Sequence, residues 1–156
     1  MAEFIVKKTI NQKSIVVITI FFLIIFFTIP IFIFGIDNNE EYTKLEYLYN
    51  DYIIMPEALV YKIQQRANDY ILYDVRDSLS YSKYHVVGAK SLPWSKIKKE
   101  INLSNIPTNK QIILISADGF YSLKALESFL SKGYETVYSI EGGMDNWPYV
   151  KLLVKK

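Results

Sequence analysis

The sequence feature that most restricts the fold is the stretch Gln111–Ser122, which reads QIILISADGFYS. The four consecutive apolar residues Ile112–Ile115 indicate a short strand buried on both faces, as strands of a parallel sheet are. A small, polar segment with one glycine follows, and then Leu123, Leu126 and Leu130 recur at helical spacing. The stretch therefore predicts a strand, a tight loop and a helix. In this arrangement, loop N–H groups and the helix N-terminus attract an anion.

Similar alternation continues on both sides of this stretch. The other predicted strands lie at 52–54, 70–75, 89–92 and 136–140. The predicted helices lie at 56–68, 94–101 and from 122 onward, with shorter helices before His85 and around 144–147. Strands that alternate with helices predict an α/β fold with a mostly parallel central sheet.

Four segments, in order and at similar spacing, resemble the rhodanese-type domain family. They are an Asp-Val-Arg segment at a strand end, a His-x-x-Gly-Ala segment, the loop that follows Ile115, and a Gly-Gly-x-x-x-Trp segment. The resemblance covers about residues 52–150 and implies the family's three-layer rhodanese-like fold. It also implies structural roles for Asp74, Arg76, His85, Gly88, Gly142, Gly143 and Trp147.

The loop is where this chain departs from the family. The family loop reads roughly Cys-x-x-Gly-x-Arg-Ser, and its cysteine carries a persulfide. The resemblance places the corresponding binding loop of this chain at Ser116, Ala117, Asp118, Gly119, Phe120, Tyr121 and Ser122. Gly119 and Ser122 match the family pattern, whereas Ser116 occupies the cysteine position and Tyr121 occupies the arginine position.

These departures argue against sulfur transfer, because that reaction needs a thiolate to carry the sulfur. The chain contains no cysteine, which excludes a persulfide, a disulfide and a thiolate metal site, and its single histidine excludes a histidine metal cluster. Replacing the loop arginine by Tyr121 removes a bidentate anion contact. We therefore expect no catalytic residue, no metal and no cofactor.

The favoured hypothesis is a catalytically inactive binding or regulatory module, since some members of the family lack the cysteine. Its loop would recognise an unidentified protein partner. Asp118 would favour a cationic group of that partner, or it would simply cap the helix start, where a carboxylate is favourable. The alternative is an enzyme with altered chemistry, either residual sulfurtransferase-type activity or a nucleophilic Ser116 at a strand-to-helix turn. A nucleophilic serine needs a base, and the resemblance makes His85, the only histidine, a structural residue.

A long apolar run lies near the N-terminus. Residues 14–36 carry no charged side chain, and about 20 helical residues span the roughly 30 Å hydrocarbon core of a bilayer. The run therefore predicts a transmembrane helix, with the lipid bilayer as its partner. Lysines precede the run and acidic residues follow it, which places residues 1–13 in the cytoplasm and the domain outside. A cleaved signal peptide is the alternative, although its apolar core is normally shorter.

The predicted organisation thus has five parts. They are a cytoplasmic segment at 1–13, the transmembrane helix at 14–36, a juxtamembrane linker at 37–51, the rhodanese-like domain at 52–150 and a C-terminal tail at 151–156. The formal net charge of +2 is too small to indicate nucleic acid binding. The basic group Lys96, Lys98 and Lys99 is interpreted as a solvated helix face, with anionic lipid headgroups or a partner as the alternative contact.

Overall fold

The computed structural model of the chain describes residues 39–99 and 106–155. The chain divides into two units, residues 1–41 and 42–156. Of the first unit only residues 39–41 are described, and they are helical. Among the residues that the structure describes, no helix is both long and apolar enough to cross a membrane. The transmembrane helix predicted at 14–36 and the segment at 1–13 lie outside the described residues.

The second unit alternates strands and helices as the sequence predicts. Its strands are β1 (Ile53–Ile54), β2 (Tyr70–Asp74), β3 (Tyr84–Val86), β4 (Lys90–Ser91), β5 (Gln111–Ile115), β6 (Val137–Ile140) and β7 (Leu153–Lys155). Its helices are α1 (42–48), α2 (Pro56–Gln64), α3 (Ser78–Lys83), α4 (Trp94–Ile97) and α5 (Phe120–Leu130).

The central sheet has the strand order β1-β6-β5-β2-β4, and every neighbouring pair is parallel. Asp74 at the end of β2 lies opposite Ile115 on β5 and opposite Ser91 on β4. The carboxyl ends of these three strands therefore lie side by side at one edge of the sheet. The predicted α/β fold with a mostly parallel sheet is confirmed.

The side chains of β5 explain why its sequence is apolar without interruption. Ile112 and Leu114 pack with α4 and α5 on one face of the sheet. Ile113 and Ile115 pack with α2 on the other face. All four are fully buried, and each such burial stabilises the fold by about 1.5–3 kcal/mol. Helices thus cover both faces of the sheet, which gives the three-layer arrangement.

Part of the predicted linker at 37–51 belongs to the folded unit. Residues 42–48 form α1, and Leu45 is buried against Phe120 and Leu123 of α5. Leu48, three residues further, is exposed. One turn of α1 therefore covers the start of α5 and helps to position the loop that precedes it.

The C-terminal residues, which the sequence predicts as a tail at 151–156, also take part in the fold. Leu153–Lys155 form β7, which pairs antiparallel with β3 and places Val154 opposite His85. Leu152 and Leu153 pack against the core on the α2 side of the sheet. The folded unit therefore continues to residue 155.

Two predicted helices are shorter in the structure, and a third predicted helix is absent. The helix predicted at 56–68 ends at Gln64, and the one predicted at 94–101 is described only over Trp94–Ile97. Residues 144–147 were predicted as a short helix, but residues 141–146 form turns and residue 147 has no regular structure. The N–H groups of Met144 and Asp145 donate to carbonyls of another loop, as described below.

Candidate functional site

A cleft of about 300 Å³ opens at the carboxyl edge of the sheet. Its walls come from the residues that follow β2, β4 and β5, because parallel strands bring their carboxyl ends to the same edge. The lining residues are Val75, Arg76, Asp77, Ser80, Pro93, Trp94, Ser95, Ser116, Ala117 and Tyr121. Three of the seven predicted loop residues, Ser116, Ala117 and Tyr121, therefore line this cleft.

Ser116 begins the loop and is fully buried. Its Oγ accepts a hydrogen bond from Gly119 N at 3.0 Å and lies 3.3 Å from Ser122 Oγ. Ser122 Oγ donates its one proton to Gly119 O at 2.8 Å and lies 2.7 Å from Ser139 Oγ. Because that proton is used, Ser116 and Ser139 donate to Ser122 Oγ. The hydroxyl of Ser116 is thus satisfied as both donor and acceptor inside the loop.

Asp118 lies on the outer side of the loop. Its side chain is exposed and is not among the lining residues, and its Oδ1 accepts the N–H of Phe120 at 3.0 Å. The structure thus shows the capping contact that the sequence left as one of two roles for this carboxylate. Burial, followed by the charges of Glu46, Asp118 and Glu141, raises the pKa of the nearby Tyr42 hydroxyl.

Two glycines set the shape of the loop. Gly119 has φ +103°, and a Cβ at this position would lie 3.0 Å from the Tyr42 hydroxyl. Gly143 has φ +59°, and its Cβ would lie 2.5 Å from Ala117 O and 2.6 Å from Ser116 O.

The absence of a side chain at Gly143 allows two backbone hydrogen bonds. Met144 N donates to Ser116 O at 2.9 Å, and Asp145 N donates to Ala117 O at 2.8 Å. The Gly-Gly segment, in which Gly142 also has a positive φ of 62°, therefore acts as a backbone clamp on the first two residues of the loop.

A buried ion pair between Arg76 and Asp74 lies at the cleft beside β2. Arg76 Nη2 donates to Asp74 Oδ2 at 2.6 Å, and Arg76 Nε donates to Asp74 Oδ1 at 3.0 Å. Arg76 Nη2 also donates to Tyr84 O at 2.7 Å, and the guanidinium lies 4.9 Å from the Tyr84 ring centre. Burial opposes the charge of Arg76, but the hydrogen bonds and charge of Asp74 outweigh it and raise the pKa of the arginine. The Asp-Val-Arg segment thus links β2 to β3 through Arg76, and Asp74 neutralises the charge of that arginine.

The remaining predicted structural residues lie away from the cleft. His85 Nδ1 contacts Tyr81 O at 2.9 Å, and its ring stacks on Tyr81 with 4.0 Å between ring centres. Gly88 lies in the turn before β4 with φ +80°. Trp147 is buried, and its Nε1 donates to Tyr149 O at 3.0 Å. Within the described chain, the hydrogen bonds of Ser116 Oγ are to Gly119 and Ser122, so neither His85 nor a carboxylate contacts it as a base.

The sequence did not predict that residues following β2 and β4 also line the cleft. Trp94 lies beside Tyr121 with 6.3 Å between ring centres and 32° between ring planes. Trp94 N donates to Val75 O at 2.8 Å, which fixes the start of α4 against the end of β2. Asp77 lies at the rim and caps α3 through Leu79 N and Ser80 N. The signal for these residues was available, since both segments directly follow predicted parallel strands.

Within residues 39–99 and 106–155, no group of three or more histidine, aspartate or glutamate side chains is placed to hold a metal ion. The described cleft instead combines aromatic rings, serine hydroxyls that are hydrogen-bonded within the protein, an arginine neutralised by its ion pair, and one carboxylate at the rim.

A parallel sheet with a strand–loop–helix site at its carboxyl edge places the chain among the α/β domains whose sites lie at the carboxyl ends of the strands. The family model for the rhodanese-like domain matches residues 57–148. The chain therefore belongs to the rhodanese-like domain family.

Individual relatives are similar at low identity. The uncharacterized protein YqhL of Bacillus subtilis is 29% identical over 76 residues, which cover 49% of this chain and 59% of that protein. The thiosulfate sulfurtransferase GlpE of Coxiella burnetii is 26% identical over 82 residues, which cover 53% of this chain and 75% of that protein. The solution structure of the rhodanese-like domain of the Anabaena Alr3790 protein is similar in fold. Its TM-score is 0.59 at 20% identity, over 67% of this chain and 80% of that one.

Proposed function

We propose that this rhodanese-like domain is a binding module that does not transfer sulfur. The observation that carries the proposal is Ser116 at the family's cysteine position, buried and hydrogen-bonded within its own loop. A serine oxygen cannot take up and release sulfur as a cysteine does by forming a persulfide. Its hydroxyl is also far harder to ionise than a thiol. The remaining 155 positions supply no cysteine in its place.

Two further features support a binding role. Tyr121, at the family's arginine position, is 46% exposed and lines the cleft, so it offers an aromatic surface instead of a cation. The one arginine of the lining is already paired with Asp74. The fold is that of the family, and the side chains that would handle an anionic sulfur donor are replaced or neutralised.

A turnover assay tests this proposal directly, because relatives of this chain bear the name thiosulfate sulfurtransferase. We expect the purified full-length chain to form no thiocyanate from thiosulfate and cyanide above the buffer rate. Ser116→Ala is the matched control. Turnover that this substitution abolishes would show that Ser116 is a nucleophile, and turnover that survives it would show that another group is catalytic. Ser116→Cys should restore little activity, because Tyr121 still replaces the family's arginine.

The proposal includes a location for the domain. Residues 14–36 would anchor it in the membrane, with residues 1–13 in the cytoplasm and the rhodanese-like domain outside. The length of the uncharged run and the lysines before it support this arrangement.

Protease added to intact spheroplasts should digest the domain, and lysis should be unnecessary for cleavage. A cytoplasmic reporter protein serves as the control for spheroplast integrity. A domain that is digested only after lysis would contradict the orientation, and a mature N-terminus near residue 36 would contradict the anchor.

A further inference from the structure

The charge of the cleft differs from that of an anion site. Among its described lining residues, Arg76 and Asp77 carry full charges at neutral pH. Arg76 is held by Asp74 through contacts of 2.6 and 3.0 Å, and both side chains of this pair are almost fully buried. The pair is neutral as a unit. Asp77 is exposed, and the charge that remains for a ligand is therefore its carboxylate.

Asp77 is held in place to present this charge at the rim. Its Oδ1 accepts the N–H groups of Leu79 and Ser80 at 2.9 Å each, and its Oδ2 accepts Ser80 Oγ at 2.6 Å. The side-chain hydrogen bond from Ser80 is the largest of several that lower the pKa of Asp77. A carboxylate oxygen accepts more than one hydrogen bond, so this arrangement leaves capacity for a ligand donor.

An aromatic wall faces the rest of the cleft. Trp94 and Tyr121 lie 6.3 Å apart between ring centres, and Phe120 supports Tyr121 with 5.1 Å between their ring centres. The faces of tryptophan and tyrosine rings attract cations, by about 0.5–1 kcal/mol at exposed sites. Tyrosine in place of the family's arginine thus removes a positive charge and adds a surface that favours one.

We infer that the cleft binds a single alkyl cation, a guanidinium or ammonium group such as the end of an arginine or lysine side chain. This inference rests on the proposed function, in which the cleft is a binding site without sulfur chemistry. The cation would lie against Trp94 and Tyr121 and donate to Asp77. A volume of about 300 Å³ lies at the lower end for ligand pockets and suits one such group with its alkyl stem.

Calorimetric titration of the full-length chain in neutral detergent at low ionic strength tests the inference. The probes are Nα-acetylarginine methylamide and its citrulline analogue, which has a neutral urea of nearly the same shape. The arginine probe should bind about fivefold more tightly, since an exposed ion pair contributes up to about that factor. An arginine-containing peptide is titrated in parallel. If the cation belongs to a protein partner, the peptide backbone beside the arginine should add affinity.

Three variants locate the site. Asp77→Asn keeps a good helix cap and should remove the ion-pair share of the preference for arginine over citrulline, leaving only the share of the cation–π contact. Glu135→Gln removes an exposed acidic charge before β6, at the opposite edge of the sheet, and should leave it unchanged. Tyr121→Leu should weaken the arginine probe about threefold through loss of the cation–π contact.

The outcomes separate this inference from the proposed function. Equal binding of the two probes, an arginine preference that Asp77→Asn does not reduce, or tighter binding of thiosulfate than of the arginine probe would overturn the inference. None of these results would indicate sulfur transfer, which is measured separately by the turnover assay on the same preparation. Thiocyanate formation would overturn the proposed function whatever the probes show.

Discussion

Replacement of Gly143 by alanine should destabilise the domain through the loop and not through the core. The added Cβ would lie 2.5 Å from Ala117 O and 2.6 Å from Ser116 O, both of which are backbone atoms that no rotamer change can move. Relief of this clash requires the two segments to separate, which breaks the hydrogen bonds from Met144 N and Asp145 N. Each bond contributes about 0.5–1.5 kcal/mol, and alanine at φ +59° adds about 1–2 kcal/mol. The expected loss is therefore about 2–5 kcal/mol.

Gly88→Ala is the matched control, because Gly88 has φ +80° but a Cβ there would meet nothing within 4 Å. It carries the conformational penalty without the clash, and should cost only about 1–2 kcal/mol. Urea unfolding of the full-length variants in neutral detergent, followed by near-ultraviolet circular dichroism, measures both losses. A Gly143→Ala loss no larger than that of Gly88→Ala would refute the idea that the Gly-Gly segment clamps the loop.

Two further changes probe the charges of the site. Asp74→Asn should lower the free energy of unfolding by about 3 kcal/mol or more, because it leaves the buried Arg76 guanidinium uncompensated. The double variant Asp74→Leu with Arg76→Met should recover most of this loss in urea unfolding, and a single-variant loss below about 1 kcal/mol would contradict the argument. Tyr121→Arg should strengthen sulfate binding measurably in calorimetry at low salt, whereas Asp118→Asn alone should change it little, since that carboxylate is exposed and bonds Phe120 N. A larger gain from Asp118→Asn than from Tyr121→Arg would place Asp118 inside the cleft.

The central sheet and the position of the loop were predictable because they depend on strong local signals. An apolar run as short and continuous as Ile112–Ile115 indicates a strand between two helical layers. The structure shows such a strand, with both faces fully buried. The polar segment after it must then emerge at the carboxyl edge of the sheet.

The features that sequence reasoning missed depend on contacts between distant segments. Leu153–Lys155 were predicted as part of a C-terminal tail, and they form a strand only because β3, almost seventy residues earlier, offers an unpaired edge. Leu45 was predicted in a linker, and the apolar start of α5 buries it. Trp94 carried no motif of its own, since its role arises from its distance to Tyr121. Spacing along the chain cannot specify such pairs.

The loop of this chain shows that the shape of an active site and its chemistry have separate physical origins. The shape depends on backbone contacts, namely the positive φ of Gly119 and the hydrogen bonds that Met144 N and Asp145 N donate. None of these involves the side chain at position 116. A serine fits there because Gly119 N donates to its hydroxyl oxygen and Ser122 Oγ accepts its proton, in a site with no solvent exposure. A thiol is a weaker donor and acceptor than a hydroxyl. A single substitution back to cysteine would therefore weaken this network without supplying the cation that a thiolate requires.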